Sequence, residues 1–158
     1  MTDVTELTIP ALRFSLHVTL QDFVRNPWRA KLSDPFFFTD LPPKARFKFI
    51  SELHFFTDHI VDDYDYSDVT SNVGRVFWTL EESQCVGWLA HIIRSIFKRT
   101  PEELRSDPTI FLHAPEWPNI ERLASEALTL VEAEDARRNP ESVITFERKR
   151  QVLRDLEL

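Results

Sequence analysis

Glycine and cysteine are scarce in this chain of 158 residues, which contains two glycines and one cysteine. Tight β-hairpin turns and phosphate-binding loops both depend on glycine, and the loops need two or three glycines within a few residues. Because Gly74 and Gly87 stand far apart, we expect neither an all-β fold nor a Walker or Rossmann nucleotide site. A Gly-x-Ser-x-Gly nucleophile elbow is also lacking. The lone Cys85 cannot form an internal disulfide, so nothing indicates an oxidising compartment.

Long apolar runs are also lacking, since the longest are short stretches such as Phe36–Phe38. A helix needs about 20 predominantly apolar residues to span a bilayer. The N-terminal residues include Asp3 and Glu6 and no apolar run, unlike a secretory signal. We therefore predict a cytoplasmic protein with no membrane association.

Acidic residues outnumber basic ones, 26 to 19, which gives a formal net charge of −7. A protein that binds the nucleic-acid backbone needs a basic surface, so this class of function is not expected. The excess of carboxylates permits binding to a basic protein partner. It is also compatible with a charge that serves only solubility.

Apolar residues recur at spacings of three and four along most of the chain, which is the pattern of helices that bury one face. The clearest helix start is the capping box Thr79-Leu80-Glu81-Glu82. We predict a mainly α, single-domain bundle of about five helices, with a short strand or hairpin near residues 75–78. Residues 1–138 form the globular domain in this prediction. Residues 139–158 form a C-terminal helical extension that docks on the domain, pairs with another chain or stays partly free.

Most of the negative charge falls in residues 58–82, which we call the acidic segment. It contains seven acidic residues and one basic residue, Arg75, so it carries −6 of the overall −7. Such a field speeds encounter with a cationic partner, and aromatic residues among carboxylates suit a protein interface. The alternative is an ordinary solvated loop over residues 62–74 that its tyrosines hold against the domain. The candidate partner-binding residues are Asp62, Asp63, Tyr64, Asp65, Tyr66, Asp68, Trp78, Glu81 and Glu82.

Histidines near the start of the acidic segment raise the alternative of a metal site. His54, His59 and Asp62 could supply the two imidazoles and one carboxylate of such a site. Histidines five residues apart on a helix diverge more than the i, i+4 pair of a zincin helix does. The aspartates that follow lack the sixth-position glycine and twelfth-position glutamate of an EF-hand. We therefore predict no cofactor, and a metal-dependent enzyme or sensor is the alternative function.

Three stretches of the sequence together resemble a family of small, acidic, uncharacterised bacterial proteins. They are Ile9-Pro10-Ala11-Leu12-Arg13, Leu53-His54-Phe55-Phe56-Thr57-Asp58 and Phe111-Leu112-His113-Ala114-Pro115-Glu116-Trp117-Pro118. The resemblance covers residues 9–132, and its most specific element is the box Ala114–Pro118. The family has no activity that can be carried over. Its size and acidity resemble the immunity proteins that neutralise bacterial toxins, which is an analogy rather than a shared motif.

These observations favour a non-enzymatic protein-interaction module that binds a basic partner protein through the acidic segment. An immunity-type inhibitor is the specific form that the resemblance suggests. A homodimer formed through residues 140–158 is a further expectation, because this stretch combines sparse apolar positions with balanced charge.

Overall fold

Helices account for most of the residues that the computed structural model describes, which are 4–25, 41–105 and 108–156. The α-helices in these ranges are α1 (Pro10–Val24), α2 (Pro43–Val61), α3 (Val69–Asn72), α4 (Leu80–Arg99), α5 (Trp117–Arg138) and α6 (Pro140–Leu156). Two short 3₁₀ helices, Glu102–Leu104 and Pro108–Phe111, connect α4 to α5. The prediction of a mainly α, single-domain bundle is confirmed. The Phe36–Phe38 run lies outside the described residues.

The helix starts follow from local sequence. Proline is the first residue of α1, α2 and α6 and the second residue of α5, where its fixed φ angle suits the first turn and its missing N–H costs no hydrogen bond. Helix α4 begins instead at the predicted capping box, which is confirmed. The hydroxyl of Thr79 accepts from the backbone N–H of Glu82 (3.2 Å), and the Glu82 carboxylate accepts from the N–H of Thr79 (3.1 Å).

The core lies where α1, α2, α4 and α5 pack together. Apolar residues at helical spacing turn inward as predicted, namely Val86, Leu89, Ile93 and Ile96 of α4 and Ile120, Leu123, Ala124, Ala127 and Leu128 of α5. The rings of Phe23 and Phe56 stack at 4.0 Å and join α1 to α2. Trp117 meets Phe23 edge-on at 5.8 Å. The tryptophan of the Ala114–Pro118 box therefore fixes the start of α5 to the core.

The chain between α2 and α4 is more ordered than the predicted exposed loop. It contains helix α3, and Tyr66 and Asn72 are buried within it. The carbonyl of Asn72 accepts hydrogen bonds from the backbone N–H groups of Arg75, Val76 and Phe77 at 3.1–3.2 Å. These bonds wind the chain into a turn, so the strand or hairpin expected near residues 75–78 is replaced, among the described residues, by one isolated bridge from residue 73 to residue 77.

Helix α6 is docked on the domain through a narrow contact. Phe146 is its one buried residue, and this ring stacks on His17 of α1 at 3.8 Å. The Ser142 hydroxyl donates to the carbonyl of Asp135 on α5 (3.1 Å). Arg150 also pairs with Asp22 of α1, and Lys149 lies over the ring of Phe14. The end of α6 beyond residue 150 faces solvent. None of the helices in the described ranges is both long enough and apolar enough to cross a membrane.

Candidate protein-binding surface

The acidic segment separates into exposed and buried carboxylates. Four exposed aspartates stand on the short connection between α2 and α3, and we call them the acidic turn: Asp62, Asp63, Asp65 and Asp68. Glu81 is also exposed, in the first turn of α4. The remaining predicted site residues, Tyr64, Tyr66, Trp78 and Glu82, are half-buried or buried. The candidate surface is therefore smaller than the sequence suggested.

Two tyrosines anchor the acidic turn to the domain. Tyr66 is fully buried against Phe77, and its hydroxyl lies 3.4 Å from Nε2 of His59. Burial raises the pKa of this phenol well above its ordinary value. The hydroxyl of Tyr64 donates to Oδ1 of Asn72 (2.8 Å). Tyr66 is removed from the partner-binding set, because a fully buried ring cannot contact another protein.

Local hydrogen bonds fix the backbone of the turn. Oδ1 of Asp65 accepts from the backbone N–H of Ser67 (3.0 Å) and from its hydroxyl, and these bonds lower the pKa of the aspartate. Asp68 caps α3 by accepting from the N–H of Ser71. The carboxamide of Asn72 donates to the carbonyl of Asp65 (3.0 Å). The four carboxylates therefore project from a turn held at both ends.

Two of these carboxylates have basic neighbours inside the molecule. Oδ1 of Asp65 lies 3.5 Å from the Arg94 guanidinium. Oδ2 of Asp63 lies 3.3 Å from Nδ1 of His59, but burial lowers the pKa of this imidazole, so it is mostly neutral at pH 7. Within the described ranges, neither Asp62 nor Asp68 has a cation within ion-pair distance. The turn therefore keeps most of its negative charge.

Glu82 belongs to the core rather than to the surface. One of its carboxylate oxygens accepts from the backbone N–H groups of Trp78 and Thr79. The other lies 2.7 Å from the guanidinium of Arg13. Glu82 is fully buried, and it is removed from the partner-binding set because its charge is already compensated.

Arg13 is a structural residue that sequence reasoning missed. It is buried, and it donates to Asp135 Oδ1 (3.0 Å) and to the carbonyls of Val76 (3.1 Å) and Val131 (3.2 Å), in addition to Glu82. A buried charge is stable only when it is paired and its other donors are bonded. The partners are far away in sequence, so no motif of neighbouring residues could predict this network.

Trp78 is only partly available to a partner. The guanidinium of Arg138 lies over its ring, 4.5 Å from the centroid. This cation–π contact covers one face of the indole. Trp78 therefore helps to pack the end of α5 against the start of α4.

The predicted metal ligands do not meet. His54 and His59 lie five residues apart on α2, one exposed and one buried, and each pairs with the aspartate one turn later: Asp58 at 2.9 Å and Asp63 at 3.3 Å. Asp62 lies beside Asp58 and contributes to raising the pKa of that carboxyl, after the larger effect of burial; it does not bring His54 and His59 together. Across residues 4–25, 41–105 and 108–156, no group of three or more His, Cys, Asp or Glu side chains could hold a metal ion. The His54, His59 and Asp62 site is therefore not assembled.

A groove lies beside the acidic turn, between α4 and α5. Its volume is about 1240 Å³, and residues from both helices line it together with Ser67 and Val69. Trp88 lines the groove and is 61% exposed. Sequence reasoning missed this tryptophan, although it falls outside the set of α4 residues that point inward.

Cys85 lies in the wall of this groove but is chemically protected. It is buried, and its thiol donates to the carbonyl of Leu123 (3.4 Å). Burial raises the pKa of the Cys85 thiol to about 11. Since the thiolate is the nucleophile, this cysteine is unsuited to catalysis at neutral pH.

Comparison of the chain with protein-family models, with curated proteins and with solved structures finds no match.

Proposed function

We propose that this protein is a non-enzymatic interaction module whose acidic turn binds a cationic surface of a partner protein. The observation that carries the proposal is the acidic turn itself, with four exposed carboxylates on a connection anchored by buried Tyr66. Glu81 extends this negative surface toward the groove.

The anchoring favours binding over simple solvation. A mobile acidic loop would lose conformational entropy on binding, whereas a turn already fixed by Tyr66, Asn72 and the Asp68 cap loses little. Fixed carboxylates also present one charge pattern, which favours one partner over others. Clustered negative charge steers an oppositely charged partner during encounter.

An immunity-type inhibitor is the specific form that we propose for this module. Its target would be a bacterial toxin with a basic surface, met in the cytoplasm, where a single unpaired cysteine stays reduced. Support comes from the small size, the acidity and the fixed acidic turn, together with the analogy to immunity proteins drawn from the sequence. We do not propose a metal-dependent enzyme or sensor, because the candidate ligands on α2 point to separate partners.

The test reverses the charges of Asp62 and Asp63, because the side chains of these residues form no hydrogen bonds that hold the backbone of the turn. Asp62→Lys combined with Asp63→Lys should weaken binding to a captured and purified partner by about tenfold or more, since each reversal replaces attraction by repulsion. Asp65 and Asp68 stay intact, because both hold the turn. Isothermal titration at physiological salt gives the dissociation constant.

The matched control reverses another adjacent acidic pair. Glu102→Lys combined with Glu103→Lys changes the net charge by the same amount in an exposed 3₁₀ helix, and should leave affinity within about twofold. Equal affinity of the Asp62/Asp63 variant and the wild type would rule out the acidic turn as the binding surface. Equal weakening by both variants would mean that net charge alone is sensed.

A further inference from the structure

We propose that the groove between α4 and α5 receives a basic amphipathic helix of the partner protein. The apolar face of that helix lies on Trp88, and its lysine and arginine side chains meet carboxylates at the groove. The inference rests on the proposed function, because it names the element of the partner that presents the cationic surface. Three features of the groove support it: its length, its apolar lining and its charge.

The acidic turn borders this groove. Ser67 and Val69 line the groove, and Asp68 stands between them in the chain. The hydroxyl of Ser83 on α4 donates to the carbonyl of Val69 (2.7 Å). Gly87 of α4 permits this close approach, because a β-carbon at residue 87 would lie 2.9 Å from Cγ2 of Val69. A partner element in the groove therefore lies beside the acidic turn and can contact both.

The groove has the length of a short helix and offers side chains to a partner. Its lining extends over residues 81–92 of α4 and 119–130 of α5. At 1.5 Å per residue each stretch is about 17 Å long, which is about three helical turns. Both stretches lie inside α-helices, whose backbone groups bond to one another. An extended peptide would find no backbone partners there, whereas a helix satisfies its own backbone groups. A helix is therefore the form of partner that this groove fits.

Trp88 gives the groove an apolar anchor for such a helix. It is 61% exposed, and it lines the groove together with the half-buried Ile92 and Leu130. His91 contacts its ring, with centroids 5.6 Å apart. Tryptophan is enriched among the residues that dominate the binding energy of protein interfaces. Proline-rich ligands dock in grooves lined by aromatic rings, whereas Trp88 is the one large aromatic side chain lining this groove in the described part of the chain. The apolar lining therefore favours the aliphatic face of an amphipathic helix.

The charge of the groove favours a basic helix over an acidic one. Glu81 and Glu126 line the groove, and both are exposed. Among the described residues, Arg122 is the one lysine or arginine of the lining, and Glu126 already compensates it at 2.9 Å. Neither Glu81 nor Asp68 has an ion-pair partner within the described ranges. Two uncompensated carboxylates are therefore available at the groove, and cations of the partner can pair with them.

A synthetic helix of this chemistry tests the proposal on the full chain. The probe is a fluorescein-labelled peptide of about 18 leucine and lysine residues, with leucine at helical spacing so that one face is apolar. Fluorescence anisotropy at physiological salt should give a dissociation constant of about 10–100 μM. A scrambled peptide of the same composition lacks the apolar face, and a leucine–glutamate peptide of the same pattern reverses the charge. Each of these two should bind at least about tenfold more weakly.

Trp88→Ala removes the apolar anchor and should weaken binding of the leucine–lysine peptide by about tenfold or more. The circular dichroism of this variant should match that of the wild type, because the side chain is exposed. Phe47→Ala is the matched control, since Phe47 is a 73% exposed aromatic residue of α2 that does not line the groove. It should leave the affinity for the peptide within about twofold.

Absence of measurable binding up to about 1 mM protein, or equal affinity for all the peptides, would overturn the proposal. Weakening by Asp62→Lys with Asp63→Lys but not by Trp88→Ala would retain the acidic turn and reject the groove. Weakening by Trp88→Ala but not by the double reversal would retain the groove and reject the acidic turn. A dimer that forms without peptide and dissociates in the Trp88→Ala variant would assign the groove to a second copy of this chain, and would also overturn the proposal.

Discussion

At the scale of single residues, Arg13 connects parts of the chain that are far apart in sequence. Its guanidinium joins α1 to the capping box of α4, to the carbonyl of Val76 and to α5. Glu82 also has two roles, because one carboxylate oxygen caps α4 and the other pairs with Arg13. Both side chains are almost completely shielded from solvent. Removing one partner would therefore leave the other buried and unpaired.

Arg13→Ala should lower the free energy of unfolding by about 3–5 kcal/mol, the usual cost of leaving a buried charge without its partner. Urea denaturation followed by circular dichroism measures this change. Arg122→Ala breaks an exposed i, i+4 pair with Glu126 and serves as the control, at about 0.5 kcal/mol or less. A loss below about 1 kcal/mol for Arg13→Ala would show that solvent reaches Glu82.

At the scale of elements, the long helices could be predicted because their signals are local. Periodic apolar residues, prolines in first turns and the Thr79–Glu82 box are all readable within a few residues. The chain from residue 62 to residue 78 could not be predicted, because tertiary contacts decide it. Tyr66 is buried only because other elements cover it, and Asn72 organises the turn through its carbonyl and its carboxamide.

The candidate site could be predicted only in part, because some of its residues are decided by local sequence and others by tertiary contacts. Charge counting located the four aspartates of the acidic turn, since exposed carboxylates need no partner to be recognised. The same count included Glu82, whose cation Arg13 is 69 residues away. The metal-site alternative combined His54 with His59, and the divergence that the sequence analysis expected from their five-residue spacing is found, with one exposed and the other buried. The groove could not be predicted from the sequence, because residues from two different helices line it.

Helix α6 is an element held by few contacts, so it should open without unfolding the domain. Phe146→Ala removes its buried anchor, and we expect the amides of α6 to exchange at the rate of a free helix while α4 and α5 stay protected. Hydrogen exchange followed by mass spectrometry resolves the two regions. Val143→Ala, at an exposed position on the same helix, should change neither. Uniform loss of protection in α5 would contradict this division.

At the scale of the whole molecule, two buried histidines make stability depend on pH. Burial lowers the pKa of His17 and of His59 from the ordinary value of 6.5. For His17, the carboxylates of Glu132 and Asp135 oppose this shift without cancelling it. In both cases the unfolded chain binds a proton more readily than the folded chain does.

Stability should therefore be highest above the unfolded pKa of about 6.5 and should fall as pH decreases toward the lowered folded values. Urea midpoints at about pH 8, 7 and 6 measure this fall. His17→Gln should reduce the pH dependence, whereas His91→Gln, at an exposed position, should preserve it. A midpoint that rises on acidification over this window would mean that folding raises the pKa of these imidazoles instead of lowering it.

The position of Arg13 also has a consequence for the order of events during synthesis. Its partners Val131 and Asp135 follow it by 118 and 122 residues. While the ribosome is still making α4, the guanidinium has no complete set of acceptors, although α1 can already pack on α2 through Phe23 and Phe56. Contacts this distant close late and slow the search for the native state. The Arg13 network is thus completed only after α5 has left the ribosome, although Arg13 is translated before all of its partners.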